Sequence, residues 1–185
     1  MALSVSTVLF FILSCGLWVA EARLYTSVLT VPNGPRWGRW GPAHFCSKGH
    51  AVGFQIKLEP FVMEFDTTSM NAIALLCDDG ETVTSTIGPW GYWLRAMYCY
   101  RGKLDSFALI VHEATEVDYT ATEGIVFHCS DSDELTSTGS ERGRLGPMSN
   151  QCAEGYICGI QTRVQSPQYI KEDTALNDVK MFCCD

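Results

Sequence analysis

Four acidic residues recur at matched places along this 185-residue chain and have the chemistry that glycosyl transfer requires. Asp66, Asp118 and Glu172 occupy equivalent positions of a threefold repeat, and Glu123 stands where the other two copies carry Asn. Glycosyl transfer uses one carboxyl group to protonate the leaving oxygen and a second to attack or to activate water, at separations of roughly 5.5 Å or 6.5–9.5 Å. Asp118 and Glu123 are the most suggestive pair. An Asp close to a Thr also forms local hydrogen bonds to the backbone of a turn, and that structural role is the competing interpretation.

Four tryptophans form a second candidate site. The tetrapeptide W-G-x-W occurs twice, 53 residues apart, and its aromatic residues are Trp37, Trp40, Trp90 and Trp93. Because sugar rings have apolar faces that stack on aromatic rings, these are candidate ligand-binding residues. Two other interpretations stay open. The tryptophans could anchor the sheets to the core, or W-x-x-W could be the acceptor pattern for C-mannosylation of its first tryptophan, here Trp37 and Trp90.

Other catalytic signatures are absent from the sequence. It contains no G-x-S-x-G, H-E-x-x-H or P-loop pattern and no N-x-S/T sequon. The histidines have no metal-ligand spacing; they are His44, His50, His112 and His128. We therefore predict neither a metal nor a cofactor.

Residues 1–22 have the pattern of a secretory signal peptide. An apolar run from Val8 to Leu13 is too short to span a bilayer, and Ala20-Glu21-Ala22 is a small-x-small cleavage site. The mature chain is therefore expected to begin at Arg23, to be secreted and to lack any membrane-inserted segment. The net charge of −8 makes nucleic acid an unsuitable partner.

The spacing of the eight cysteines that follow the signal reveals a threefold repeat. Cys46, Cys99 and Cys152 are each 53 residues apart, and each precedes a second cysteine by 30 or 31 residues. An even number of cysteines in a secreted chain indicates disulfides. The repeat predicts four of them: Cys46–Cys77, Cys99–Cys129, Cys152–Cys183 and Cys158–Cys184. The assignment of Cys183 and Cys184 could be reversed.

Alternating apolar residues predict an all-β chain of short strands. Ile73-x-Leu75-x-Cys77 and its two counterparts have the period of two that half-buried strands show. One small sheet cannot bury its apolar face alone, so the three copies must pack together in one domain, residues 23–185. The repeats span about residues 30–82, 83–136 and 137–185. A three-sided prism is the natural closure, and a three-bladed propeller or a trefoil barrel fits the repeat count too.

The sequence resembles the vitelline membrane outer layer protein I family. The resemblance rests on the threefold cysteine frame, on the W-G-x-W near the start and on D-T-A-L-N-D-V from Asp173 to Val179. The opening residues Tyr25 to Val31 and the doubled cysteine fit it as well. It implies a β-prism of three Greek-key sheets around a pseudo-threefold axis. It also implies secretion, deposition in the egg coat of egg-laying relatives, and a transferase-like activity on N-acetylchito-oligosaccharides.

These observations lead to three functional hypotheses. The first is a monomeric structural or binding protein of an extracellular coat or fluid, whose partners are N-acetylglucosamine-containing glycans or coat proteins. The alternative is an enzyme that transfers or hydrolyses N-acetylchito-oligosaccharides. The third is a secreted defence factor that binds microbial polysaccharide. The absence of a recognisable catalytic motif favours the first.

Overall fold

The structure, a computed structural model, describes residues 23–60, 68–112, 121–139, 142–167 and 175–185. Within these ranges the regular structure consists of fourteen β-strands, and no helix there is long and apolar enough to cross a membrane. The strands are β1 (Ser27–Leu29), β2 (Arg39–Trp40), β3 (His44–Phe45), β4 (Ala51–Leu58), β5 (Met70–Cys77), β6 (Thr82–Thr84), β7 (Tyr92–Trp93), β8 (Met97–Tyr98), β9 (Leu104–His112), β10 (Ala121–Cys129), β11 (Glu134–Thr138), β12 (Arg144–Leu145), β13 (Tyr156–Val164) and β14 (Leu176–Cys184).

The strands form three antiparallel sheets, each built around one long pair. The first sheet has the order β6-β5-β4-β7, with β8 also paired to β4. The second has the order β11-β10-β9-β12, and the third has β1-β14-β13-β2 with β3 also paired to β13. In the first two sheets three consecutive strands are followed by a fourth that returns beside the first of them, which is the Greek-key order. The expected all-β prism of three Greek-key sheets is confirmed.

In each sheet, the short strands that pair with the first long strand come from the next copy of the repeat. The short strand β7 precedes Cys99 in sequence but pairs with β4, and β12 precedes Cys152 but pairs with β9. The third sheet closes the ring, because β2 and β3 pair with β13 while β1 pairs with β14. The copies are therefore interlocked by strand exchange around the prism.

The three sheets turn their apolar faces toward one shared core. Phe54 and Phe107 occupy equivalent positions of the first two copies, and both are fully buried against Phe127. The ring centroids of Phe54 and Phe127 are 4.7 Å apart. Since fully burying one such side chain contributes roughly 1.5–3 kcal/mol, this common core is the main force that holds the sheets together.

The eight cysteines of the described residues form four disulfides, Cys46–Cys77, Cys99–Cys129, Cys152–Cys183 and Cys158–Cys184. This is the pairing that the repeat spacing predicts. Cys99 donates its backbone N–H to Val52 of the first sheet, while its sulfur is bonded to Cys129 of the second. The repeat disulfides therefore cross the junctions between sheets.

Candidate functional site

The glycine of each W-G-x-W motif forms a turn that only glycine tolerates. Gly38 has a φ of 82° and Gly91 a φ of 75°, in the left-handed region that side chains with a Cβ avoid. A Cβ at Gly38 would overlap the backbone of Val164, and one at Gly91 would overlap the backbone of Leu58. The turn thus brings the second tryptophan of each motif into a short strand, β2 paired with β13 for Trp40 and β7 paired with β4 for Trp93.

The hydrogen-bond register locates the third copy of the motif. Gly41, Leu94 and Gly146 donate equivalent backbone hydrogen bonds, to Thr162, Ile56 and Leu109 respectively. The residue before each of them is therefore equivalent, and Leu145 takes the place of Trp40 and Trp93. The third motif reads Arg142-Gly143-Arg144-Leu145. It retains the glycine and has lost both tryptophans.

The first tryptophan of each motif is on the surface. Trp37 is 53% exposed and Trp90 46%, while the second tryptophan of the later motif, Trp93, is 37% exposed. Trp40 is half-buried. None of the four belongs to the core, so the interpretation of the tryptophans as core anchors is wrong.

Cationic side chains accompany the second tryptophan. Lys180 places its Nζ 4.3 Å from the centre of the Trp40 ring, and the Arg163 guanidinium carbon lies 5.2 Å from it. Such cation–π contacts contribute about 0.5–1 kcal/mol each at exposed sites. Strand pairing also sets Lys57 opposite Trp93, as it sets Arg163 opposite Trp40. In the third copy the corresponding pair is Ile110 and Leu145, which has neither an aromatic ring nor a charge.

The cationic residues opposite the second tryptophans were not predicted as site residues from the sequence, although their spacing in the sequence identifies them. Lys57 and Arg163 both stand eleven residues after the opening cysteine of their copy, and Ile110 stands there in the copy whose partner motif lacks tryptophan. Beside Arg163 on the same sheet lies Asp178, a half-buried carboxyl group whose pKa is raised by burial. The outer face of the third sheet is therefore polar around Trp40.

An open apolar groove lies where the first sheet meets the second. It has a volume of about 660 Å³ and runs between the segment that joins β7 to β8 and the edge strand β11. Tyr98 on its rim is 57% exposed, and Tyr92 and Trp93 are exposed on the same edge of the first sheet. We call it the aromatic groove; its lining residues are Leu94, Arg95, Ala96, Met97, Tyr98, Leu135 and Ser137.

Polar side chains form hydrogen bonds across the other two sheet junctions. Between the third and first sheets, the Ser85 hydroxyl donates to the Pro42 carbonyl oxygen at 2.8 Å and accepts from the Thr162 backbone N–H at 3.0 Å. Between the second and third sheets, the Asn33 amide donates to the Leu109 carbonyl oxygen at 3.0 Å. Ser137, the counterpart of Ser85, instead lines the aromatic groove.

Glu123 is the one of the four candidate catalytic acids that lies within the described residues. Its side chain is 1% exposed, and its two oxygens accept hydrogen bonds from Arg142 Nη2 and from the Gly143 backbone N–H, each at 3.1 Å. The carboxylate is thus already engaged with the third copy of the motif. The other candidates, Asp66, Asp118 and Glu172, lie outside the described residues.

The residue equivalent to Glu123 in the first copy has the same structural role. The Asn71 side-chain oxygen accepts a hydrogen bond from the Trp90 backbone N–H at 3.1 Å, and its amide donates to the Thr68 hydroxyl at 2.6 Å. In both copies a buried side chain on the second long strand holds the turn of the neighbouring motif. These buried side chains hold the motif in position. Neither of them provides a solvent-accessible carboxyl group that could transfer a proton to a ligand.

Histidine and acidic clusters among the described residues also have structural partners. His50 contacts the Cys184 carbonyl oxygen through Nε2 at 3.0 Å and Lys103 Nζ through Nδ1 at 3.1 Å, and burial lowers its pKa. The groups of potential metal ligands in this part of the chain each include a disulfide cysteine, whose sulfur is not a thiolate. These groups therefore provide only exposed carboxylates, which are weak evidence for a metal site.

The architecture defines the class of fold to which the chain belongs. Its structure is similar to that of Calystegia sepium agglutinin, with a TM-score of 0.57 and 12% identity over 87% of this chain and 97% of the agglutinin. It is also similar to artocarpin complexed with Me-alpha-mannose, with a TM-score of 0.54 and 11% identity over 87% and 99% of the two chains. At such low identity the likeness shows the β-prism fold alone.

Sequence comparison then places the chain within one family. Residues 27–185 match the model of vitelline membrane outer layer protein I, and the chain belongs to this family. It is 39% identical to the human vitelline membrane outer layer protein 1 homolog and 38% identical to the mouse homolog. Each alignment covers 86% of this chain and 84% of the relative. The family and the four disulfides are consistent with an extracellular protein.

Proposed function

We propose that this protein is a secreted, monomeric structural or binding protein of an extracellular coat or fluid that recognises N-acetylglucosamine-containing glycans. The aromatic groove is the observation that carries this proposal. Its volume of about 660 Å³ lies within the range of roughly 300–1,000 Å³ that small-molecule sites occupy. The disulfide-crossed prism keeps such a groove in shape outside the cell.

The chemistry of the groove suits an N-acetylated sugar. The exposed ring of Tyr98 offers a stacking surface for the apolar face of a pyranose, and the apolar lining accommodates an acetyl methyl group. Arg95 and Ser137 supply polar groups on opposite sides of the groove for hydroxyl and amide oxygens. Trp93 and Tyr92, exposed on the same edge, extend the aromatic surface for further sugar units.

Two solved structures of similar fold have mannose ligands, which supports glycan binding without assigning it. They are artocarpin complexed with Me-alpha-mannose and a mannose-specific jacalin-related lectin from Morus nigra in complex with mannose. Function belongs to sites rather than to folds, so the aromatic groove of this chain, and not its likeness to these lectins, is the basis of the proposal. The transferase alternative receives no comparable support, because Glu123 is buried and engaged in structural hydrogen bonds.

The experiment is a calorimetric titration of the oxidised protein with N-acetylglucosamine tetramer, with mannotriose as the comparison ligand. We expect binding of the tetramer, and Tyr98→Ala should weaken it about tenfold, since loss of one aromatic stacking partner costs about 1.4 kcal/mol. Tyr100→Ala is the matched control, because Tyr100 is exposed and lies outside the groove.

Two results would contradict the proposal. If the tetramer does not bind, the proposed recognition of N-acetylglucosamine is wrong. If only mannotriose binds, the protein recognises mannose instead. Equal weakening by Tyr98→Ala and Tyr100→Ala would show that the groove is not the site. Mass spectra of the titrated mixture report shorter or longer oligomers, which would appear if the protein were the transferase.

A further inference from the structure

The three copies of the motif separate what the fold requires from what it does not. Each copy forms the same hydrogen bond to the neighbouring sheet, and each retains its glycine. The two tryptophans are present together in two copies and absent together from the third, which reads Arg142-Gly143-Arg144-Leu145. The short strand and its hydrogen bond to the neighbouring sheet therefore form without tryptophan, and the fold does not require the tryptophan pair.

In both pairs the first tryptophan is the more exposed of the two, and the difference is largest in the first pair. Trp37 and Trp90 stand at the turns with about half of their surface exposed, outside the core. Trp40 lies in a short strand beneath Lys180 and Arg163. Full burial of a large apolar side chain stabilises a fold by roughly 1.5–3 kcal/mol. Because about half of the surface of Trp37 and Trp90 stays exposed, these two rings contribute much less than that to the stability. The first tryptophan of each pair is therefore exposed enough to carry a substituent.

We propose that Trp37 and Trp90 are each C-mannosylated, through the W-x-x-W pattern in which the second tryptophan is the recognition residue. The donor is a mannose linked to a polyisoprenyl phosphate. A carbon–carbon bond forms between mannose C1 and indole C2, the bond between mannose C1 and the phosphate oxygen breaks, and the indole C2 proton leaves. The phosphate departs with the electron pair, so no oxidant or reductant takes part.

The exposure of both acceptor rings is compatible with the products. A mannosyl group on Trp37 or Trp90 projects from an exposed turn, and its hydroxyl groups replace part of the apolar indole surface that water now contacts. The third copy of the motif has Arg142 at the acceptor position and provides an internal site without an acceptor. The modification would thus make the turns at Trp37 and Trp90 hydrophilic, as Arg142 does at the equivalent position of the third copy.

Peptide mass spectrometry of the full-length protein secreted by mammalian cells tests the assignment. After reduction, cleavage at lysine places Trp37 and Trp40 in the peptide that ends at Lys48, and Trp90 and Trp93 in the peptide 58–103. The peptide 104–171 contains no tryptophan and serves as the control. We expect one hexose on each of the first two peptides, located by fragmentation on Trp37 and Trp90 and resistant to enzymes that release O- and N-linked glycans.

Variants and the host cell test the recognition step. Trp40→Ala should remove the hexose from Trp37 and leave that on Trp90, whereas Arg39→Ala, which keeps both tryptophans of the motif, should leave both. Cells that lack tryptophan C-mannosyltransferases should secrete unmodified protein. Unmodified tryptophans in protein from normal cells, or a hexose on Trp40, Trp93 or a hydroxyl group, would overturn the proposal. These readouts are independent of glycan binding, which Tyr98→Ala changes without altering the modification.

Discussion

Replacement of Glu123 by glutamine tests whether this carboxylate supports the fold or performs chemistry. The substitution keeps the shape of a side chain that is 1% exposed and removes its charge. Hydrogen bonds to charged groups contribute about 1.5–3 kcal/mol, and loss of one partner from a fully buried ion pair costs about 3–5 kcal/mol. Because the Arg142 side chain is 32% exposed, it remains partly solvated when its partner is neutralised. We therefore expect a destabilisation of about 1.5–3 kcal/mol, the lower range.

The assay is equilibrium unfolding in guanidinium chloride with all disulfides intact, followed by tryptophan fluorescence and by circular dichroism. Coincident transitions establish two-state behaviour, which allows free energies to be compared. Arg142→Gln and the double variant complete a cycle whose coupling energy should be about 1–2 kcal/mol. Glu134→Gln, at an exposed position of β11, is the control and should change the stability by less than about 0.5 kcal/mol.

The same variants decide between the structural and the catalytic role of Glu123. Each is incubated with N-acetylglucosamine tetramer, and the products are read by mass spectrometry. A Glu123→Gln protein as stable as the wild type would refute the structural account. If that variant also abolished product formation by the wild type, Glu123 would be a catalytic acid instead.

Two further predictions concern the ends of the sheets and the motif turns. His50 is neutral in the fold and its pKa is lowered by burial, so stability should be complete above its ordinary pKa of 6.5 and decline as the pH falls below it. Denaturation midpoints at about pH 7 and about pH 5 measure this, and His50→Gln should reduce the difference. Gly91→Ala should destabilise the protein by about 1–3 kcal/mol more than Gly80→Ala, because both have positive φ but only the Cβ at Gly91 meets backbone. Equal losses in thermal unfolding would show that the contact with Leu58 has no cost.

Most of the fold prediction followed from the spacing of the cysteines. Spacings of 30 and 31 residues determined the pairing of Cys46 with Cys77 and of Cys99 with Cys129, because they recur with the apolar alternation of the long strands. The strand exchange could not be predicted in this way. A two-residue strand such as β7 has no pattern that says whether it joins the sheet before it or the sheet after it, and only tertiary contacts decide that it pairs with β4.

The candidate site was predicted less completely. The four tryptophans were identified, but their exposure was not, since an aromatic residue near a strand is as compatible with a core as with a surface. The aromatic groove combines Tyr98 of one copy with Leu135 of the next, and no short-range pattern links them. In the first two copies the motif starts nine residues before the next cysteine, and this spacing alone would place the third motif at residues 143–146. The hydrogen bond from Gly146 to Leu109 shows that it lies one residue earlier.

The exchange of strands sets the order in which the molecule can be assembled. The first and second sheets take their strands from residues 51–145, whereas the third combines β1, β2 and β3 with β13 and β14. Thr26 and Cys183, joined by a backbone hydrogen bond there, are 157 positions apart. Such distant pairing forms slowly because a large loop must close first. During synthesis β2 and β3 therefore stay unpaired until β13 has emerged, and β1 until β14 has emerged. These strands need protection from premature pairing during that interval.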